Sequence, residues 1–265
     1  MKKLFPFEEC HLVNLVERPD RLEYMMNQFK KLGCETEITL HRAVKHPQIA
    51  MERMMDGLNN ENNNHSTYLS HIDVPHSTAG CHEQYTIIKS AYLRGLESVM
   101  IIEDDCGFIK DRSVLEEYFN NLPNDWDVLR INCLRGPKTQ EYINDYKDKY
   151  NYWFPQVNCL YGAAAYALSR KGMKHMLDWY DQNFDAIDVP LAIGNVKILR
   201  YELKKFIPIK SDAKFYIPKI PLGLCTEMNL KSDLHDFEIN NCQNGDGFCY
   251  YFYNSINDIN PHDYF

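Results

Sequence analysis

Val99-Met100-Ile101-Ile102-Glu103-Asp104-Asp105 is the stretch that decides the fold class: four apolar residues run straight into three carboxylates. A short apolar run without alternation reads as a strand covered on both faces, as in parallel sheets. Three adjacent negative charges at its tip repel one another, and a hard divalent cation such as Mg²⁺ or Mn²⁺ relieves that repulsion. In open α/β sheets, ligands bind beyond the carboxyl ends of strands, where this cluster would fall. A solvated acidic turn would have the same composition, because Asp also suits turns and helix N-caps.

The chain before this strand reads as a β-α-β unit. His11 to Val16 is a short buried strand, and Pro19 suits a first helical turn. Leu22, Met25, Met26, Phe29 and Leu32 recur at helical spacing until Gly33 stops the helix, and Cys34 to Leu40 follows as a second strand. Residues 45–78 hold three methionines and a polar stretch without period; a loop of that length inside a domain is a candidate lid. Ala79 to Leu96 is helical, with Tyr85, Ile88 and Tyr92 on one face, and leads into the acidic strand.

Beyond the acids, Ser113-Val114-Leu115-Glu116 resembles a capping box opening a helix toward Leu122. Trp126 to Asn132 is a further strand, and 134–153 an irregular, Tyr-rich connection. Gly162 to Leu168 is small and apolar, which suits close approach by another backbone or a ligand. Ser169 is placed to cap a helix whose Met173, Met176, Leu177 and Tyr180 share a face, and Val196 to Tyr201 is the last convincing strand. The expected organisation is one domain over 1–265, with an α/β core at 10–200 and a less regular lobe at 201–265.

A chain of 265 residues, 45% hydrophobic and 25% charged, is long enough for a large core. Its formal charge of −8 argues against a general nucleic-acid surface. No apolar run approaches the ~18–20 residues that cross a bilayer, and Pro6 and Glu8 spoil the N-terminus as a signal peptide. Nine cysteines, an odd number without a C-x-x-C pair, fit a reducing cytosol better than a disulfide framework. The expectation is a cytoplasmic protein, peripheral to a membrane at most, its oligomeric state unspecified.

Several motifs in collinear order resemble glycosyltransferase family 25, which includes lipooligosaccharide (lipopolysaccharide biosynthesis) and collagen galactosyltransferases. They are Val13-Asn14-Leu15-Val16-Glu17-Arg18-Pro19-Asp20-Arg21, Arg42-Ala43-Val44, Gly80-Cys81, Glu103-Asp104-Asp105, Trp126 to Arg130 and Gly162 through Gly172. The resemblance implies a nucleotide-diphospho-sugar transferase (GT-A-like) single domain with a mixed, mostly parallel sheet. It also implies a UDP-sugar donor, Mn²⁺ (or Mg²⁺) held by Glu103 and Asp105, and Asp104 facing the ribose. Asn14, Arg18, Arg21, Ala43 and Val44 would line the nucleotide pocket; an Asn amide matches a uracil edge and an Arg fork matches phosphate. Asp188 falls where the family carries an acid and would serve as general base toward a glycan or glycosylated-protein acceptor. Where the family has a Ser-His pair this chain has Gln84 and Tyr85. That departure keeps a silent nucleotide-sugar or glycan binder open, and the acids alone also suit a metal-dependent phosphohydrolase or nucleotidyltransferase.

Overall fold

The computed structural model describes residues 2–44, 74–132, 143–156, 163–182, 191, 197–200, 205–208 and 212–225. Most of the expected lid (45–73), Gly162, Asp188 and the C-terminal stretch from 226 lie outside the described residues.

The opening β-α-β unit forms as its sequence predicts. β1 (Glu9–Leu15) leads into α1 (Pro19–Leu32), then a 3-10 turn (Glu35–Glu37) and β2 (Ile38–Ala43), which pairs parallel with β1. Gly33 ends α1 at φ 64°, the left-handed conformation that costs glycine least, and the N–H groups of Gly33 and Cys34 close on Lys30 and Phe29. The second strand starts four residues later than expected because the 3-10 turn takes up Glu35 to Glu37. Glu37 is held there by the Leu4 and Phe5 N–H groups.

The second helix, α2 (Val74–Arg94), feeds β3 (Ser98–Glu103), which lies parallel beside β1. Then come β4 (Cys106–Phe108), α3 (Arg112–Asn120), β5 (Val128–Asn132), β6 (Trp153–Pro155) and β7 (Ala165–Ser169). α4 (Arg170–Gln182), β8 (Lys197–Arg200), β9 (Lys205–Pro208), β10 (Phe215–Pro218) and β11 (Gly223–Cys225) complete the described elements. The main sheet has seven strands in the order β2-β1-β3-β7-β5-β10-β6; β7 and β6 run against the other five. This is a mixed α/β single domain. The small residues at 163–167 are explained by β7 lying antiparallel between β3 and β5, buried on both sides.

Strand alternation divides the core into two layers. Cys10, Leu12, Met100, Ile102, Leu129 and Ile131 pack on Met25 and Phe29 of α1 and Leu115 and Phe119 of α3. Val13, Val99, Ile101, Tyr166, Leu168 and Val128 pack on α2 and α4. Burial also pushes the Cys10 and Cys34 thiols up to about 12, so they behave as small hydrophobes.

Two helix starts differ in outcome. Ser169 caps α4 as its position predicts, its Oγ accepting from the Gly172 N–H at 3.1 Å. Ser113 does not cap α3, which begins two residues earlier than that cap would place it, with Asp111 at the N-cap and no side-chain cap bond. Tertiary anchoring decides this start: Arg112 donates to the Leu32, Gly33 and Lys2 carbonyls and to Glu116.

Gly172 carries a testable consequence. A Cβ built there would lie 2.0 Å from the Asp127 carbonyl oxygen, a backbone atom that cannot swing away. Gly172→Ala is expected to destabilise by about 1–3 kcal/mol, the usual cost of overpacking, despite alanine's better helix propensity; urea unfolding measures it.

Candidate active site

The tips of β1 and β3 lie side by side, Val13 opposite Glu103 in the parallel ladder. The chain turns at Val16 and Glu17, the Val16 N–H bonding the Ala43 carbonyl and the Arg18 N–H that of Leu15. Three strand ends and the start of α1 therefore converge on one point.

The three acids go to different places, Glu103 at the end of β3 and Asp104 and Asp105 in the turn that follows. Glu103, in step with Val99 and Ile101, faces α2. Asp104 faces α1 and is buried, 5% exposed. Its Oδ1 accepts from Arg21 Nη1 at 3.0 Å; its Oδ2 accepts from Asn14 Nδ2 at 2.6 Å and from the Leu15 N–H at 3.2 Å. Asp105 sits half-exposed in the turn between β3 and β4. Among the described residues no group of three or more His, Cys, Asp or Glu side chains is placed to hold a metal ion. The split of the triplet across two faces is the physical reason, and it leaves Glu103 and Asp105 as the two acids outside the Asp104 cluster.

Asn14 is 1% exposed and gives its amide hydrogens to Asp104 and to the Arg18 carbonyl, the latter at 2.9 Å. Its Oδ1 is buried with no hydrogen-bond partner among the described residues, a costly state for an amide oxygen. Arg18 stands at the N-cap of α1 with its fork on Asp20, at 3.0 and 2.7 Å. That pairing holds the Asp20 carboxyl down at about 2. Ala43 ends β2 and is buried, whereas Val44 is exposed. The structure thus brings Asn14, Arg21 and Asp104 into direct contact, with Arg18 and Ala43 alongside.

Above the opposite face, α2 buries Cys81, Gln84, Ile87, Ile88 and Ala91. The buried stripe is rotated from the expected Tyr85, Ile88 and Tyr92, because bulky rings sit better at its half-buried edge, where Tyr85 meets Tyr180 edge-to-face at 5.8 Å. Gln84 Nε2 donates to Glu103 Oε1 at 2.6 Å, and the Tyr166 hydroxyl donates to Gln84 Oε1 at 2.6 Å. The sequence signal for Gln84 was a polar residue inside an i, i+3, i+4, i+7 apolar stripe. Tyr166 carried no such signal, because a tyrosine in a small-residue strand reads as packing.

A second polar chain pins α2 over β1 and β2. Glu83 Oε1 lies 3.1 Å from His41 Nδ1, His41 Nε2 lies 2.9 Å from His11 Nδ1, and His11 Nε2 lies 3.1 Å from Glu9. Burial, then the charge of His41, holds His11 down at about 4 from the usual 6.5. The unfolded chain therefore binds a proton at this residue between those values that the folded chain refuses. Stability is expected to fall as pH drops from 6.5 toward 4, and His11→Gln to flatten that slope in thermal unfolding across the range.

A family model described as Glycosyltransferase family 25 (LPS biosynthesis protein) matches residues 7–191. The chain belongs to glycosyltransferase family 25. The match spans the strand tips, the acidic triplet and the helix that bears Gln84, so the cluster lies within the family's shared region. No curated protein matches the sequence. Family membership makes the protein a glycosyltransferase, with a sugar donor and a glycan acceptor. Among the described residues no helix is long and apolar enough to cross a membrane.

Proposed function

We propose that the protein transfers a hexose, galactose or glucose, from a UDP-sugar to a glycan or a hydroxylated protein side chain, on a GT-A-like fold. The observation that carries this reading is the sorting of the acidic triplet. Asp104 is consumed in organising the β1 and α1 ends, while Glu103 and Asp105 supply hard oxygens at the strand tip. Two protein carboxylates joined by a diphosphate are the donor set Mg²⁺ or Mn²⁺ takes when it is bound together with its substrate. The residues present fit such an ion, which when bound would neutralise charge developing on the departing UDP.

The chain's own groups do the rest. Asn14 offers its unpartnered Oδ1 to a donor N–H, as a pyrimidine imide would provide. Asp104, itself held by Arg21, and the Arg18 carbonyl keep that amide oriented, and Arg18 places a cation at the pocket's rim. In this reading Asp104 supports the nucleotide pocket from behind instead of touching the ribose. Asp188 serves as general base for the acceptor hydroxyl.

The test is product analysis after incubating the protein and Mn²⁺ with UDP-galactose or UDP-glucose and an oligosaccharide acceptor. Mass gain of one hexose on the acceptor is expected. Sugar-nucleotide binding without turnover over a donor panel would overturn catalysis in favour of a binder. Release of phosphate or pyrophosphate without sugar transfer would assign the acids to a hydrolase or nucleotidyltransferase.

A further inference from the structure

We propose that Gln84 and Tyr166 form a positioning pair that aims Glu103 into the donor site, an inference that rests on the metal-ligand reading of Glu103. Both side chains are fully buried between α2 and the sheet, and each hydrogen bond in the chain Tyr166–Gln84–Glu103 is 2.6 Å long. Tyr166 lies opposite Ile101 on the neighbouring strand and never touches Glu103 in the ladder; it acts through the amide.

The chain has only one workable direction. An ionised carboxylate accepts hydrogens and donates none, so the amide must turn its NH₂ toward Glu103. The amide oxygen then faces Tyr166, whose hydroxyl must donate. Burial raises the Tyr166 phenol well above its ordinary range, with Glu103 adding to the effect and Arg130 opposing it, so the proton stays available. Turning the amide over would set its oxygen against the carboxylate. Tyr166 thus decides which end of Gln84 meets Glu103.

Core packing alone does not call for this arrangement. Tyr166 belongs to a buried apolar cluster with Cys81, Ile88, Ile101 and Leu168, with Arg130 opposite it in the ladder, and apolar residues of similar size at both 84 and 166 would fill the same space without buried polar groups to satisfy. What the polar chain adds is orientation. A half-exposed glutamate at a strand tip has three rotatable bonds, and a fixed hydrogen bond to one oxygen sets its carboxylate plane before any ligand arrives. The partners on α2 and β7 are themselves locked by packing, so the orientation is inherited from the core.

The experiment compares native protein, Gln84→Met and Tyr166→Phe by Mn²⁺ titration in the presence of UDP, by UDP titration without metal, and by thermal unfolding. Gln84→Met keeps side-chain length and removes both hydrogen bonds. It is expected to weaken Mn²⁺ binding about 10–100-fold, the usual effect of losing a group that orients a metal ligand. Tyr166→Phe removes one oxygen from a buried ring and is expected to weaken Mn²⁺ several-fold, with metal-free UDP binding unchanged in both variants. Should Gln84→Met fail to fold, Tyr166→Phe alone carries the test. Native-like Mn²⁺ affinity in the folded variants, whatever their melting temperatures, overturns the pair's role while leaving the donor site standing. Native protein that takes up no Mn²⁺ with UDP overturns the donor-site reading and the pair together.

Discussion

Asp104→Ala is expected to cost about 3–5 kcal/mol of stability, the range seen when one partner of a buried ion pair is removed. The reason lies in what stays behind. Arg21 keeps its charge at 7% side-chain exposure, and the Asn14 amide and Leu15 N–H lose the acceptor they share. Arg21→Met should cost less, because Asp104 retains two hydrogen-bond donors and methionine matches arginine as a helix former. Asp104→Asn keeps the shape but surrenders the charge, and falls between the two. Urea unfolding followed by circular dichroism ranks the three variants. An Asp104→Ala loss below about 1 kcal/mol, an ordinary surface value, would mean that this carboxylate does not organise the strand tips.

The neighbouring acids should behave in the opposite way. Glu103→Gln and Asp105→Asn are each expected to lower sugar transfer about 10²–10³-fold, the scale of losing one group that stabilises transition-state charge, while melting close to the native temperature. Both side chains are half-exposed, and both replacements keep size and shape. Chelation of the divalent ion should abolish transfer in the native protein and leave little further to lose in either variant. Transfer within tenfold of native in both would remove the acids from the reaction. Three consecutive carboxylates then give one structural and two functional phenotypes, a contrast that a solvated acidic turn would not produce.

The opening β-α-β unit was readable because its signals are local. Apolar spacing, Pro19 at the first turn and Gly33 at the last each act within a few residues of the bonds they govern. The strand before the acids was readable for the same reason, as were the Ser169 cap and the buried face of α4. The Ser113 capping box misled because Arg112 is tied to carbonyls about eighty residues upstream, and that anchoring set the start of α3. Family membership was legible in the order of short motifs, which the family match over residues 7–191 bears out.

The site was legible only in its ingredients. Asn14, Arg21 and Asp104 were named one by one as candidates for a nucleotide pocket, and the structure adds that Asn14 and Arg21 both hydrogen-bond Asp104. Gln84 stood out as a departure from the Ser-His pattern, and its length lets it bridge Glu103 and Tyr166, a span closed at both ends by hydrogen bonds. A serine at that position would be too short to reach both.

What the sequence determined by itself was a strand that runs into three carboxylates, together with the helix and strands of the opening unit that end beside it. The tertiary structure decided what each carboxylate meets there. Arg21 lies 83 residues from Asp104, Asn14 lies 90 residues from it, and Tyr166 lies 82 residues from Gln84. Periodicity and caps act over a few residues, but these bonds exist only once β1, β3 and β7 share one sheet with α1 beneath it and α2 above.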